Sequence, residues 1–318
     1  MGRLNLIIFG GFRARIGGRD VPFPTKKAQA LLAYLAVRPG HPHLRDKLAA
    51  LLWGSAGKQE ARHSLRQTMT SLRWVLSTLS PPHLVTDGES VTLACSSMDI
   101  DVVTFERLAS RDTPRALTRA AALYRGDLLD GLDVSEEPFE EWLSGERTRL
   151  REAAMDVFTR LVDHQAKSGT LKSAIQSAMR LLTLDPLRED FHRTLMQLYA
   201  RQGRLGDAVR QYQCCGRVLQ RELGVEPTDE TRQLLYEILP QWPPPGMRPD
   251  PGAPRESAHE PETADTVGSG GPSYAEWSEL TALRDAIHEA IAMFRAIEAR
   301  FWLVNTEADM TPKKVSFE

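Results

Sequence analysis

The sequence predicts an α+β head, built from a small sheet, three helices and a hairpin, followed by an all-α body of repeated helix pairs. Three observations predict it. Charge is divided, with 13 Lys and Arg against 5 Asp and Glu in residues 1–95 and 27 against 37 in the rest of the 318 residues. Apolar residues come in short runs near the start and at helical spacing afterwards. Gly169 and Gly203 lie 34 residues apart, as do Ala174 and Ala208, each pair in the same Gly-x4-Ala frame. That period is one helix-turn-helix unit of a tetratricopeptide-like stack.

In the head, Leu4 to Phe9 is an apolar run that suits a strand covered on both faces, broken by Gly10-Gly11. Phe12, Ala14 and Ile16 then alternate with Arg13 and Arg15, and Gly17-Gly18 supplies the hairpin turn before Arg19-Asp20-Val21. Pro22 and Pro24 end the sheet. Thr25 is the N-cap of a helix over Lys26–Val37 with Ala28, Leu31, Leu32 and Leu35 inward, stopped by Arg38-Pro39-Gly40. A second helix runs from about Leu44 to Trp53 and ends at Gly54. The third covers Lys58 to Ser77. Pro81-Pro82 then forces a turn, and Leu84-Val85-Thr86, Asp87-Gly88-Glu89 and Ser90-Val91-Thr92-Leu93 read as strand, turn and strand. A trihelical unit closed by a hairpin is a winged helix-turn-helix, whose third helix enters the major groove of double-stranded DNA.

The third helix has the residues for that task. Ala61, Leu65, Met69, Leu72 and Leu76 form one stripe, and Arg62, Arg66 and Arg73 line its flank. Glu60 is its one carboxylate. Guanidinium and amide groups can meet base edges and phosphates, and little negative charge opposes them. His63, Arg66, Gln67 and Thr70 are assigned to bases, and Lys26, Lys27, Lys58, Arg62 and Arg73 to phosphates. Thr86, Gly88 and Ser90 form the wing, although Asp87 and Glu89 make its tip a poor minor-groove probe. The alternative is an ordinary amphipathic helix with solvated arginines. Trp74 shares the polar face in the last turns and is expected either there or packed on the body.

"PTKKAQALLAYLAVRPG", "RDKLAALLWG" and "ARHSLRQTMTSLRWVL" resemble the OmpR-type winged helix that heads the Streptomyces antibiotic regulatory protein family. Asp99-Ile-Asp-Val-Val-Thr-Phe105-Glu, Leu123-Tyr-Arg-Gly-Asp-Leu-Leu-Asp-Gly131, Phe139-Glu-Glu-Trp-Leu and Arg221-Glu-Leu-Gly-Val-Glu-Pro227 resemble that family's bacterial transcriptional activator domain. The resemblance implies a cytoplasmic transcriptional activator that contacts RNA polymerase and lines up as a homodimer on direct repeats. It does not extend to the C-terminal segment.

The expected division is a winged helix over 1–95, an activator domain over 96–239, a disordered linker over 240–273 and an amphipathic helix over 274–305. In the body, Met155, Phe158, Leu161 and Val162 supply one helix, and Ile175, Met179 and Leu182 the next. Leu195, Leu198 and Tyr199 follow, then Val209, Tyr212 and Val218, with Asp185-Pro186 and Glu226-Pro227 ending segments. A generic helical bundle is the alternative. The linker is rich in Pro, Gly, Ser and Glu. Beyond it, Leu280, Leu283, Ile287, Phe294, Ile297 and Phe301 follow heptad spacing, as a dimer or partner helix or as one docked back on the body.

Other chemistries find no support. There is no Gly-x4-Gly-Lys-Ser/Thr phosphate loop, so no nucleotide cofactor is expected. His41-x-His43 lacks carboxylate or Cys company, so no metal is expected. Glu136-Glu137 and Glu140-Glu141 read as a solvated helix edge. Three cysteines, two of them adjacent, suit a reducing compartment. No run approaches the roughly 18–20 apolar residues of a membrane span. No enzyme is expected. Two other readings stay open: a helical-repeat adaptor that binds proteins through its acidic body, and a sensor whose repeats bind a small effector.

Overall fold

The computed structural model describes residues 3–77, 79, 83–94 and 98–239. Residues 1–238 form one unit, and the linker expected over 240–273 and the helix expected over 274–305 lie outside the described residues.

The first sheet holds β1 (Leu4–Ile7), β2 (Arg13–Ile16), β3 (Arg19–Asp20) and β7 (Met98–Ile100) in the order β3-β2-β1-β7. Gly17 and Gly18 both have positive φ (57° and 83°), the backbone a two-residue antiparallel turn needs. Two expectations for β1 are corrected. Asn5 is exposed, so only one face is fully covered. The strand also ends at Ile7, not Phe9, because the N–H groups of Ile8 and Phe9 donate to the buried Asp101 carboxylate (3.0–3.1 Å) rather than to a neighbouring strand.

Three helices follow: α1 (Lys26–Val37), α2 (Arg45–Leu52) and α3 (Lys58–Val75). Thr25 caps α1 through Ala28 N–H, as its position before the apolar run predicts. The stripe of α3 lies inward, with Ala61, Leu65, Met69, Leu72 and Leu76 each at most 5% exposed. A second sheet has the order β4-β6-β5, from β4 (His43–Leu44), β5 (Leu84–Asp87) and β6 (Ser90–Leu93). The two short strands β4 and β7 were not expected. Leu44 belongs to β4 instead of starting α2, because it pairs with Ser90 of the hairpin.

The remaining elements are α4 (Asp101–Ala109), α5 (Pro114–Leu123), α6 (Glu137–Lys167), α7 (Leu171–Leu184), α8 (Glu189–Arg201), α9 (Leu205–Leu223) and α10 (Asp229–Ile238). Gly169 and Gly203, each with φ of 77°, connect α6 to α7 and α8 to α9. The turns repeat one pattern: Gly169 N–H and Gly203 N–H donate to the carbonyls of Ala166 and Ala200, and Thr170 N–H and Arg204 N–H to those of Gln165 and Tyr199. Both are Schellman caps. Met179 is a correction, 51% exposed on α7 where an inward position was expected.

One apolar core runs from β1 through α1–α3 into α4–α8. The segment Leu123–Gly131 joins its two ends. Tyr124 packs its ring 4.9 Å from Phe9, which also meets Phe105 edge-on at 5.3 Å. A Cβ on Gly126 would stand 3.3 Å from the Gly10 Cα, so the two backbones meet because neither residue has a side chain. Asp127 accepts from Gly10 N–H through its carbonyl and pairs its carboxylate with Arg151.

Candidate nucleic-acid interface

The outer face of α3 is set by what its inner face must bury. His63, Arg66, Gln67 and Thr70 are all exposed, three or four residues apart on one side. A ring nitrogen of His63 lies 2.9 Å from the Gln67 amide, which orients both side chains. Thr70 Oγ1 donates back to the Arg66 carbonyl, so its own outward reach is partly used. The Arg66 guanidinium has no side-chain partner among the described residues. Trp74 ends the same face at 78% exposure and does not pack on the body.

The flanking cations divide into free and engaged. Lys26 is exposed at the first turn of α1. Arg62 donates twice to Asp46 on α2 (2.7 and 2.5 Å), with Lys58 Nζ 3.8 Å from the same carboxylate. The hydrogen bonds from Arg62 hold the Asp46 carboxyl below the usual aspartate range. Arg73 Nη2 donates to Thr86 Oγ1 of β5 at 3.1 Å and so fastens the hairpin to α3. At the tip Gly88 has a φ of 53°, and Ser90 Oγ donates to the Asp87 carbonyl.

Lys27 is engaged within the fold: its ammonium sits 2.7 Å from Glu136 Oε1 and 5.4 Å from the centroid of the Trp53 ring. Glu136 is a correction: read as a solvated helix edge, it is 5% exposed. It also accepts from Ser55 N–H and Oγ (3.2 and 3.1 Å). Burial opposes its charge, but the bonds from Lys27 and Ser55 outweigh that and hold its carboxyl below the usual glutamate range. Ser55 lies in the short connection leading into α3, so a carboxylate just before α6 fixes where that helix begins.

Asp46, Ser55, Asp101 and Glu136 escaped the sequence reading, since each acts on a partner distant in the chain. Among the described residues no group of three His, Cys, Asp or Glu could hold a metal, and no helix is long and apolar enough to cross a membrane.

Residues 100–239 match the family model described as "Bacterial transcriptional activator domain". The regulatory protein AfsR of Streptomyces coelicolor is 28% identical over 276 residues, 83% of this chain and 26% of that protein. The chain thus spans about a quarter of AfsR's length. The transcriptional regulatory protein EmbR of Mycobacterium tuberculosis is 26% identical, covering 76% of this chain and 64% of EmbR. The transcriptional regulator RedD of S. coelicolor is 26% identical, covering 73% and 70%. The solved structure of M. tuberculosis EmbR in complex with a low affinity phosphopeptide superposes with a TM-score of 0.59 at 24% identity, over 76% of this chain and 66% of that one. Residues 100–239 are therefore similar to the bacterial transcriptional activator domain, in a chain similar to regulators of the Streptomyces antibiotic regulatory protein type.

Proposed function

We propose that the chain is a cytoplasmic, sequence-specific DNA-binding transcriptional regulator, and an activator. In this reading residues 1–95 act as a winged helix and 96–239 as a tetratricopeptide-like activator domain. The observation that carries the reading is the outer face of α3: exposed, with Glu60 its one carboxylate, and flanked by a hairpin tied to it through Arg73 and Thr86. Arg66 suits guanine, with its two parallel donors, and Gln67 suits adenine. His63 and Thr70 complete the base-reading face. Lys26, Lys58, Arg62 and Arg73 hold phosphates, and Thr86, Gly88 and Ser90 approach the neighbouring backbone. In this reading the bundle α6–α9 offers the surface for RNA polymerase, and two copies bind side by side on direct repeats.

The experiment is selection of bound fragments from genomic DNA, with affinities measured at 50 and 200 mM salt. Neutralising about five phosphates predicts roughly a 10²–10³-fold loss between the two. A shared motif with that slope supports the reading, and steep salt dependence without a motif leaves only a basic surface. Absence of binding at low salt overturns the reading in favour of a protein-binding adaptor. Arg66→Ala should cost roughly 1–3 kcal/mol on the selected site and relax specificity at one base pair. Arg73→Ala should weaken all sequences about equally and lower the salt slope by about one. Electrophoretic competition between specific and mixed DNA separates the two outcomes.

A further inference from the structure

The start of α3 takes its footing from outside the trihelical unit. The connection from α2 runs from Trp53 to Gly57, and Gly54 and Gly57 leave it little conformational preference of its own. Gly57 also occupies the N-cap position of α3, where it has no side chain to cap the helix. The buried stripe decides which way α3 faces. Where the helix begins, and at what tilt, is left to a partner elsewhere in the chain.

That partner is the N-terminus of α6. Glu136 is the N-cap residue of α6, and Phe139 and Leu143 in the following turns are fully buried in the common core. The Glu136 carboxylate accepts from Ser55 N–H at 3.2 Å and from Ser55 Oγ at 3.1 Å, and pairs with Lys27 of α1 at 2.7 Å. Next to it the connection packs on Pro138. A Cβ on Gly54 would stand 3.5 Å from Pro138 Cγ and collide with the Ala50 carbonyl oxygen at 2.7 Å, so only glycine fits between α2 and α6. One carboxylate thus joins α1, the α2–α3 connection and α6.

We infer, on the reading that α3 meets base edges, that Glu136 is a positioning residue for base recognition. The entry of α3 into the groove is set by α6, outside residues 1–95. His63 and Arg66 lie in the first half of α3, nearest the anchored end. Hydrogen bonds to a base edge need their side chains held within about 0.5 Å and 10–20°. Once the connection is released from Glu136, the first turns of α3 shift and those contacts are lost. Phosphate contacts survive the shift, because they carry no sequence information and long cationic side chains follow the backbone. Loss of Glu136 therefore costs specificity before it costs affinity for DNA in general.

The test compares the full chain with its Glu136→Gln, Ser55→Ala and Glu137→Gln variants, each binding the selected site and mixed-sequence DNA. Glu137 is exposed and its side chain has no partner among the described residues, so its variant removes the same charge without touching Ser55. Glu136→Gln should lower the ratio of specific to mixed affinity by about tenfold, the discrimination carried by one base contact, at unchanged salt slope. Ser55→Ala, which removes one of the two donors, should lower it by about two- to threefold. Glu137→Gln should leave it unchanged. General damage to the fold would lower both affinities together and leave their ratio intact. Should Glu136→Gln prove unfolded by circular dichroism, Ser55→Ala decides, because Ser55 is exposed and its hydroxyl is no part of the core. An unaltered ratio in the deciding variant, or an equal fall in Glu137→Gln, overturns the inference and leaves base reading standing. Failure of the unaltered chain to select any shared motif overturns base reading itself, and the inference with it.

Discussion

Asp101→Ala lowers the stability of the folded chain by about 3–5 kcal/mol, read as a fall in the urea midpoint at unchanged slope. The carboxylate accepts from the N–H groups of Ile8 and Phe9, at the end of β1, and from Val102 N–H in the first turn of α4. Alanine leaves the Ile8 and Phe9 donors in the core with nothing to replace water, at about 1–3 kcal/mol each. Neighbouring bonds do not relieve the loss, because Leu129 N–H and Gly10 N–H are donors too and already have acceptors. Asp101→Asn, which keeps one acceptor oxygen, should fall between the two. A loss below about 1 kcal/mol for alanine would mean that the β1 end relaxes onto water and that the carboxylate does not hold it.

Glu136→Gln should cost about 1–3 kcal/mol at neutral pH, less than the 3–5 kcal/mol of a fully buried pair because Lys27 is partly exposed. The difference from the wild type should depend on pH with a definite sign. The Glu136 carboxyl titrates lower in the folded chain than in the unfolded one, so its contribution is complete above the ordinary glutamate pKa of about 4.3. It is lost as pH falls through the lower folded value. Unfolding curves for the two proteins should therefore differ at pH 7 and converge well below pH 4. Hydrogen exchange at Ser55 should also quicken in the variant, because its N–H donates to Glu136 Oε2. Curves that stay equally far apart at low pH would show that the carboxylate charge is not what holds Lys27 and Ser55.

The local parts of this architecture were legible because local rules decide them. Thr25 before an apolar run, Gly17-Gly18 between alternating segments and the stripe Ala61–Leu76 each carry their structural meaning within a few residues. The two glycines at a spacing of 34 marked two turns whose hydrogen bonds match. What escaped was pairing at a distance. Met98–Ile100 has no mark of a strand until Leu4–Leu6 is beside it, and a two-residue strand such as His43–Leu44 is too short to show a period. Glu136 was misread for the same reason: four glutamates near an aromatic pair resemble a wet helix edge, and only the fold brings Lys27 and Ser55 to one of them. On the candidate interface, spacing predicted which side chains share the outer face of α3. It could not predict that Lys27 would turn away from that face.

The parallel pairing of β1 with β7 has a consequence for synthesis. Leu4–Ile7 leaves the ribosome before its sheet partners and can zip onto Arg13–Ile16 almost at once, but its other edge waits until Met98–Ile100 has emerged. At bacterial elongation rates that wait is on the order of 5–20 s. Throughout it, an apolar strand offers open N–H and C=O groups to any other nascent chain. The arginines at 13, 15 and 19 in the adjoining strands are well placed to keep such encounters apart by mutual repulsion. The positive charge of the head thereby also guards the chain while it is still unfinished.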